Sequence, residues 1–161
     1  MKPALVVYFS RTGYTQRIAE QIARAAGADC EPIRERSERA GFLGYWRSAR
    51  EALIKSAVET EPASANPRDY ALVVLGTPVW AGNMSSPMRS YIAQHGSEFG
   101  RIALFCTQGG SGGEKVLRAM ADLCRRSPVA TVCLTDSEID SDQHGVKLQA
   151  FVAALAERKA A

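Results

Sequence analysis

Ala4-Leu5-Val6-Val7-Tyr8-Phe9-Ser10-Arg11-Thr12-Gly13-Tyr14-Thr15 opens with an apolar, β-branched run and breaks abruptly into hydroxyls and a glycine. The run has the length of one strand and no polar alternation, so both of its faces are expected to be covered, as in a parallel sheet. From Thr15 to Ala26 the period changes to that of a helix, with Ile18, Ile22 and Ala25 on one side. Strand, short polar loop and helix in that order form the first half of a β-α-β unit.

The same alternation continues to the end of the chain. Further strands are expected at Cys30 to Ile33, Tyr70 to Gly76, Arg101 to Cys106 and Val129 to Leu134. Helical periods lie at Ala49 to Val58, at Glu114 to Cys124 with Val116, Leu117, Met120 and Leu123, and at Val146 to Glu157 with Leu148, Phe151, Val152 and Leu155. Pro62, Ser64, Asn66 and Pro67 read as a loop entering the central strand. Alternating strands and helices predict a doubly wound α/β sandwich of three layers, with a parallel sheet reached by right-handed crossovers. With 161 residues, 46% of them hydrophobic, the chain is expected to form one domain over residues 1–161.

Composition narrows the function classes. The apolar run Ala4 to Phe9 is far below the roughly 18 residues of a membrane span, and no small-residue cleavage site follows it. A cytoplasmic protein without a membrane partner is therefore expected. The 20 basic and 17 acidic side chains are interspersed and leave a net charge of +3, too little for a nucleic-acid footprint. Cys30, Cys106, Cys124 and Cys133 show no metal-ligand or dithiol spacing and read as reduced, mostly buried thiols. With only two histidines, no metal is expected.

In open sheets of this class ligands bind beyond the carboxyl ends of the strands, and three loops there carry unusual residues. Ser10-Arg11-Thr12-Gly13-Tyr14-Thr15 places three hydroxyls and a glycine at a helix N-terminus, donors enough to wrap a phosphate without a lysine. The simpler alternative is an ordinary Ser/Thr helix cap. Gly76-Thr77-Pro78-Val79-Trp80-Ala81-Gly82-Asn83-Met84 offers an indole face for stacking and a glycine where backbone can approach a ring edge. Thr107-Gln108-Gly109-Gly110-Ser111-Gly112-Gly113 is rich enough in glycine to bring N–H groups against a planar, hydrogen-bonding ligand.

These residues resemble the flavodoxin-like family. Ser10, Thr12, Gly13 and Thr15 match its phosphate signature of Ser or Thr, any residue, Thr, Gly, any residue, Thr. The stretch Gly76 to Met88 is similar to the second flavin loop of short bacterial members, Gly109 to Gly113 resembles their third, and Gly41-Phe42-Leu43-Gly44-Tyr45 extends the likeness over the whole domain. The resemblance implies a five-stranded parallel sheet in the order 2-1-3-4-5, with non-covalent FMN as cofactor. It implies that Ser10, Thr12, Gly13, Tyr14 and Thr15 hold the phosphate and that Pro78, Val79, Trp80, Ala81, Gly82 and Asn83 border the ring, with Trp80 stacked on it. Thr107, Gly109 and Gly110 would face the polar edge of the ring, and Arg11, Thr77 and Gln108, in the same loops, are expected among the cofactor-binding residues. The peptide at Gly82 or Gly109 would adjust its hydrogen bond at flavin N5 with the redox state.

Electron transfer through FMN is the function this implies, with no side chain as a covalent catalyst. The expected partner is a redox protein or a small-molecule electron acceptor, with NAD(P)H as a possible donor and the oligomeric state open. Familiar carriers of the family are strongly acidic, whereas this chain is mildly basic, so a small FMN-dependent oxidoreductase acting on a quinone, nitro compound or tetrapyrrole precursor is the first alternative. From a different class, Gly109-Gly110-Ser111-Gly112-Gly113 also satisfies Gly-x-Ser-x-Gly, and Asp136 or Asp140 and then His144 follow in the order of a hydrolase triad. Against that, His144 opens the last helical segment, where a solvent-facing side chain is expected. A flavin-free binding module is the remaining alternative. Arg34 to Arg39 and Arg47, Arg50 and Lys55 read as a solvated helix face, and Tyr45 and Trp46 as cover for the sheet.

Overall fold

The computed structural model describes residues 1–36 and 59–157. The helix expected at Ala49 to Val58, the Gly41 to Tyr45 segment, Trp46 and the basic cluster Arg47, Arg50 and Lys55 lie outside them.

Element order follows the alternation: β1 (Lys2–Tyr8), α1 (Tyr14–Ala26), β2 (Asp29–Pro32), β3 (Tyr70–Trp80), β4 (Asn83–Met84), α2 (Ser86–His95), β5 (Arg101–Gln108), α3 (Gly113–Cys124), β6 (Thr131–Thr135), α4 (Asp136–Asp140) and α5 (Gly145–Glu157). The main strands run parallel in the order β2-β1-β3-β5-β6, and β4 is a two-residue antiparallel addition to the end of β3. With β4 set aside, this is the expected five-strand order.

The strands alternate their side chains between two cores. On one face Val6, Tyr8, Val74 and Phe105 pack under α1 and α5 through Ile18, Ile22, Phe151 and Leu155. On the other, Leu5, Val7, Val73, Leu75 and Leu104 pack under α2 and α3 through Met88, Ile92, Val116 and Met120. Two expected core positions are displaced by one turn geometry. Ala25 is exposed while Ala19 and Ala23 fill the α1 face, and Leu123 is exposed while Cys124 closes α3. In both cases the side chain lies in the last turn of its helix.

The helix α2 has no strong apolar period, and its signal lies in its start. Ser85 is extended at the N-cap and accepts from the Met88 N–H at 3.3 Å, with Pro87 in the first turn. Beyond the expected end at Gly76, β3 continues to Trp80 and turns through Ala81 and Gly82, with φ of 48° and 74°, into β4. Two left-handed residues between paired strands make the hairpin turn whose twist matches the sheet.

Candidate functional site

The carboxyl ends of β1, β3 and β5 bring the three loops into contact. In the first loop Gly13 adopts φ 98°, a left-handed conformation open to glycine, and takes the N-cap position of α1. Its N–H donates to Ser10 Oγ at 3.1 Å, which folds the loop back on itself. Among the described residues, no side chain caps α1. The hydroxyls therefore do not serve as an ordinary helix cap, and the first-turn N–H groups at the positive end of the helix have Ser10 and Thr12 beside them.

Thr15 is turned inward. Its Oγ1 lies 2.8 Å from Thr107 Oγ1, a buried hydroxyl pair that ties the first loop to the third. In such a pair one O–H is consumed as donor and the other remains free to donate onward, so a single hydroxyl hydrogen is available to a ligand. Replacing Thr15 by Val leaves Thr107 buried without its partner. The expected cost is about 2 kcal/mol of stability, read as a lower thermal midpoint that Thr15→Ser restores. An unchanged midpoint in Thr15→Val would mean that the hydroxyl pair stabilises nothing.

The second loop leans on the first. Trp80 receives the Arg11 guanidinium over its ring at 4.5 Å and packs edge-on against Phe9 at 5.5 Å. Arg11 is held on its other side by Glu35, 3.8 Å away. Thr77 faces the protein: its hydroxyl donates to Ser85 Oγ at 3.1 Å and accepts the Ser85 N–H at 3.0 Å, bracing the hairpin. Asn83 likewise secures the turn, donating from Nδ2 to the Ala81 carbonyl at 3.1 Å. Pro78 and Val79 are half-buried, Val79 against the core beneath α2 and α3, and Ala81 is exposed at the turn.

The third loop closes against the second. Gly112, at φ 98°, begins α3, and a Cβ there would come 3.2 Å from Gly82 Cα. Gln108 is the last residue of β5, and its Oε1 accepts the Gly113 N–H at 2.8 Å, so it shapes the loop from within. Gly109 and Gly110 are exposed at the loop's tip.

A fourth element reaches the site, one that the sequence presented only as part of a hydrolase pattern. Tyr14 donates its hydroxyl to Asp140 Oδ2 at 2.9 Å, and that bond raises the phenol above its ordinary pKa. Asp136 lies against Gly109, its carboxyl raised by burial and by Asp140. The Tyr14 hydroxyl is thus engaged within the protein, away from the first loop. The hydrolase geometry does not form. His144 is buried rather than solvent-facing, with Nδ1 3.4 Å from the Glu138 carbonyl and Nε2 2.9 Å from Gln21 Oε1, so both ring nitrogens are engaged away from Ser111.

With this geometry in place, the comparisons decide the family. The flavodoxin family model matches residues 3–143. The chain belongs to the flavodoxin family. The family match supports FMN as its cofactor. A flavoprotein of Lactobacillus acidophilus NCFM solved in complex with FMN is 21% identical, with a TM-score of 0.66 over 88% of this chain and 98% of that one. A protein of Bacteroides eggerthii DSM 20697 described as a flavoprotein is 25% identical, with a TM-score of 0.66 over 91% and 98%. Rubredoxin:oxygen oxidoreductase of Desulfovibrio gigas is 18% identical, with a TM-score of 0.56 over 99% of this flavodoxin-family chain but 38% of its own. Among the described residues, no group of metal-ligating side chains is gathered and no helix is long and apolar enough to cross a membrane.

Proposed function

We propose that this flavodoxin-family protein binds FMN across the three loops and transfers electrons through it. The observation that carries the reading is the uncapped start of α1 at Gly13, ringed by Ser10 and Thr12 and joined to both other loops by direct contacts. When bound, FMN supplies the redox chemistry. The protein's part is to hold and tune it. The first-turn N–H groups of α1, with the hydroxyls of Ser10 and Thr12, would take the phosphate. Trp80 would offer its indole to the ring. Gly109 and Gly110 would bring backbone N–H groups to the polar edge. Arg11 would set a fixed positive charge beside Trp80, favouring negative charge on a nearby ring.

FMN retained through gel filtration, seen as visible flavin absorption, is the expected result, and colourless protein would overturn the reading. Reduced holoprotein is expected to pass electrons to a redox protein without steady consumption of NADH or NADPH. Sustained turnover with a quinone or nitro compound would make it an oxidoreductase instead of a carrier.

Trp80→Ala tests the stacking role. A base-sized aromatic stack contributes about 1–3 kcal/mol, so FMN affinity is expected to fall about 5- to 150-fold, with the flavin fluorescence less quenched. Unaltered affinity would leave Trp80 only its packing role against Phe9 and Arg11.

A further inference from the structure

Cys106 on β5 and Cys133 on β6 are direct partners in the parallel register, and both project into the core beneath α3. Gly113 lies over them. A Cβ at that position would fall 2.1 Å from Cys133 Sγ and 3.0 Å from Cys106 Sγ, so only the bare glycine lets the first turn of α3 settle onto both sulfurs. The Cys106 thiol also donates toward the Gly113 carbonyl at 3.7 Å. The two thiols differ in access. Cys106 is fully buried, whereas Cys133 is half-buried and lines a cleft of about 440 Å³ with Gln108, Ser111, Lys115, Thr135 and Lys147.

We propose that Cys133 is a site of oxidation by hydroperoxides, with Cys106 as the resolving thiol that converts it to a disulfide across β5 and β6. The Cys133 thiolate attacks the terminal peroxide oxygen; an S–O bond forms, the O–O bond breaks, and hydroxide or alkoxide leaves and is protonated. Cys106 sulfur then attacks the sulfenic sulfur; the S–S bond forms, the S–O bond breaks, and water departs with the Cys106 proton. The two thiols lose two electrons together and the peroxide gains them. A small dithiol reverses the step by exchange. Directly paired strand neighbours lie about 4.7–4.9 Å apart, inside the Cα separation that a disulfide spans.

The electrostatics agree with this division of labour. The adjoining Cys106 holds the Cys133 thiol below its ordinary pKa, with help from Lys147 and against burial, Glu138 and Glu114. The neighbouring Cys133 and burial push Cys106 up. Of the two, the accessible sulfur is thus the one whose thiolate, the reactive form, is favoured, and the sealed one holds its proton more firmly. Cys30 supplies an internal reference, because it is open at the surface of β2 but its thiol is pushed up to about 11 by desolvation and Glu20.

The test uses unmodified protein treated with stoichiometric hydrogen peroxide, then alkylated, digested and analysed by mass spectrometry. The expected product is a Cys106–Cys133 cross-link, with Cys30 and Cys124 still alkylated. Without peroxide, iodoacetamide at neutral pH is expected to label Cys133 at least about tenfold faster than Cys30. In Cys106→Ser, dimedone is expected to trap a sulfenic acid at Cys133. Oxidation or labelling that begins at Cys30, or the absence of the 106–133 cross-link, overturns the proposal. None of these three measurements requires FMN to be bound, so the outcome does not turn on the flavin reading.

Discussion

Thr12→Asp is expected to lower affinity for FMN by about a hundredfold and to leave affinity for riboflavin unchanged. Thr12 is exposed in the loop that leads into α1, beside Ser10 and the N-cap glycine. A carboxylate there meets the phosphate at close range. Two unit charges 4 Å apart repel by about 1 kcal/mol in water and about 4 kcal/mol at a protein surface, and a hundredfold loss falls between these limits. Riboflavin has no phosphate and escapes the repulsion. The folded protein is not expected to suffer, because a carboxylate near the start of a helix is favourable by about 0.3–1 kcal/mol. A thermal midpoint held or raised, together with the selective loss of FMN binding by titration, would place the phosphate at this loop. Equal weakening of FMN and riboflavin would move it elsewhere.

Gly76→Ala is expected to produce the largest loss of stability. Gly76 pairs with Tyr8 on one side and Phe105 on the other, at the centre of the sheet. A Cβ there would come 2.0 Å from the Phe105 ring, so the methyl and the ring cannot share the space. Phe105 has no exposed route of escape. Overpacking of this kind costs about 3 kcal/mol, or roughly 10 °C in thermal midpoint for a domain of this size. Shortening the partner makes the explanation checkable: Gly76→Ala with Phe105→Leu is expected to recover part of the loss. If the double variant is no better than the sum of the single ones, the collision with Phe105 is not the cause.

Gly76 also shows where reading a sequence stops. In the sequence it closes a strand and opens a glycine-bearing loop, whereas in the fold it lies inside β3 and makes room for a ring from the neighbouring strand. Nothing local distinguishes the two uses of glycine, because the demand comes from a residue far along the chain. The same holds for Thr77 and Gln108. Their position in the loops after β3 and β5 was legible, but their side chains brace the hairpin and the start of α3. His144 was expected in solvent at the head of a helix and is buried against Gln21, because α5 packs on α1 across the sheet face.

What the sequence determined by itself was the alternation of apolar strands and amphipathic helices and the positions of the three loops after β1, β3 and β5. These follow from local periodicity and from residues whose conformational demands are their own, such as Gly13 at φ 98°. Only the tertiary structure decided which donors in those loops remain open to a ligand and which are paired within the protein. It alone placed Asp140 on Tyr14, Arg11 on Trp80 and Cys106 beside Cys133. Such pairings depend on strand register and helix placement. Those are set by the summed packing of distant apolar side chains, which no short stretch of sequence contains.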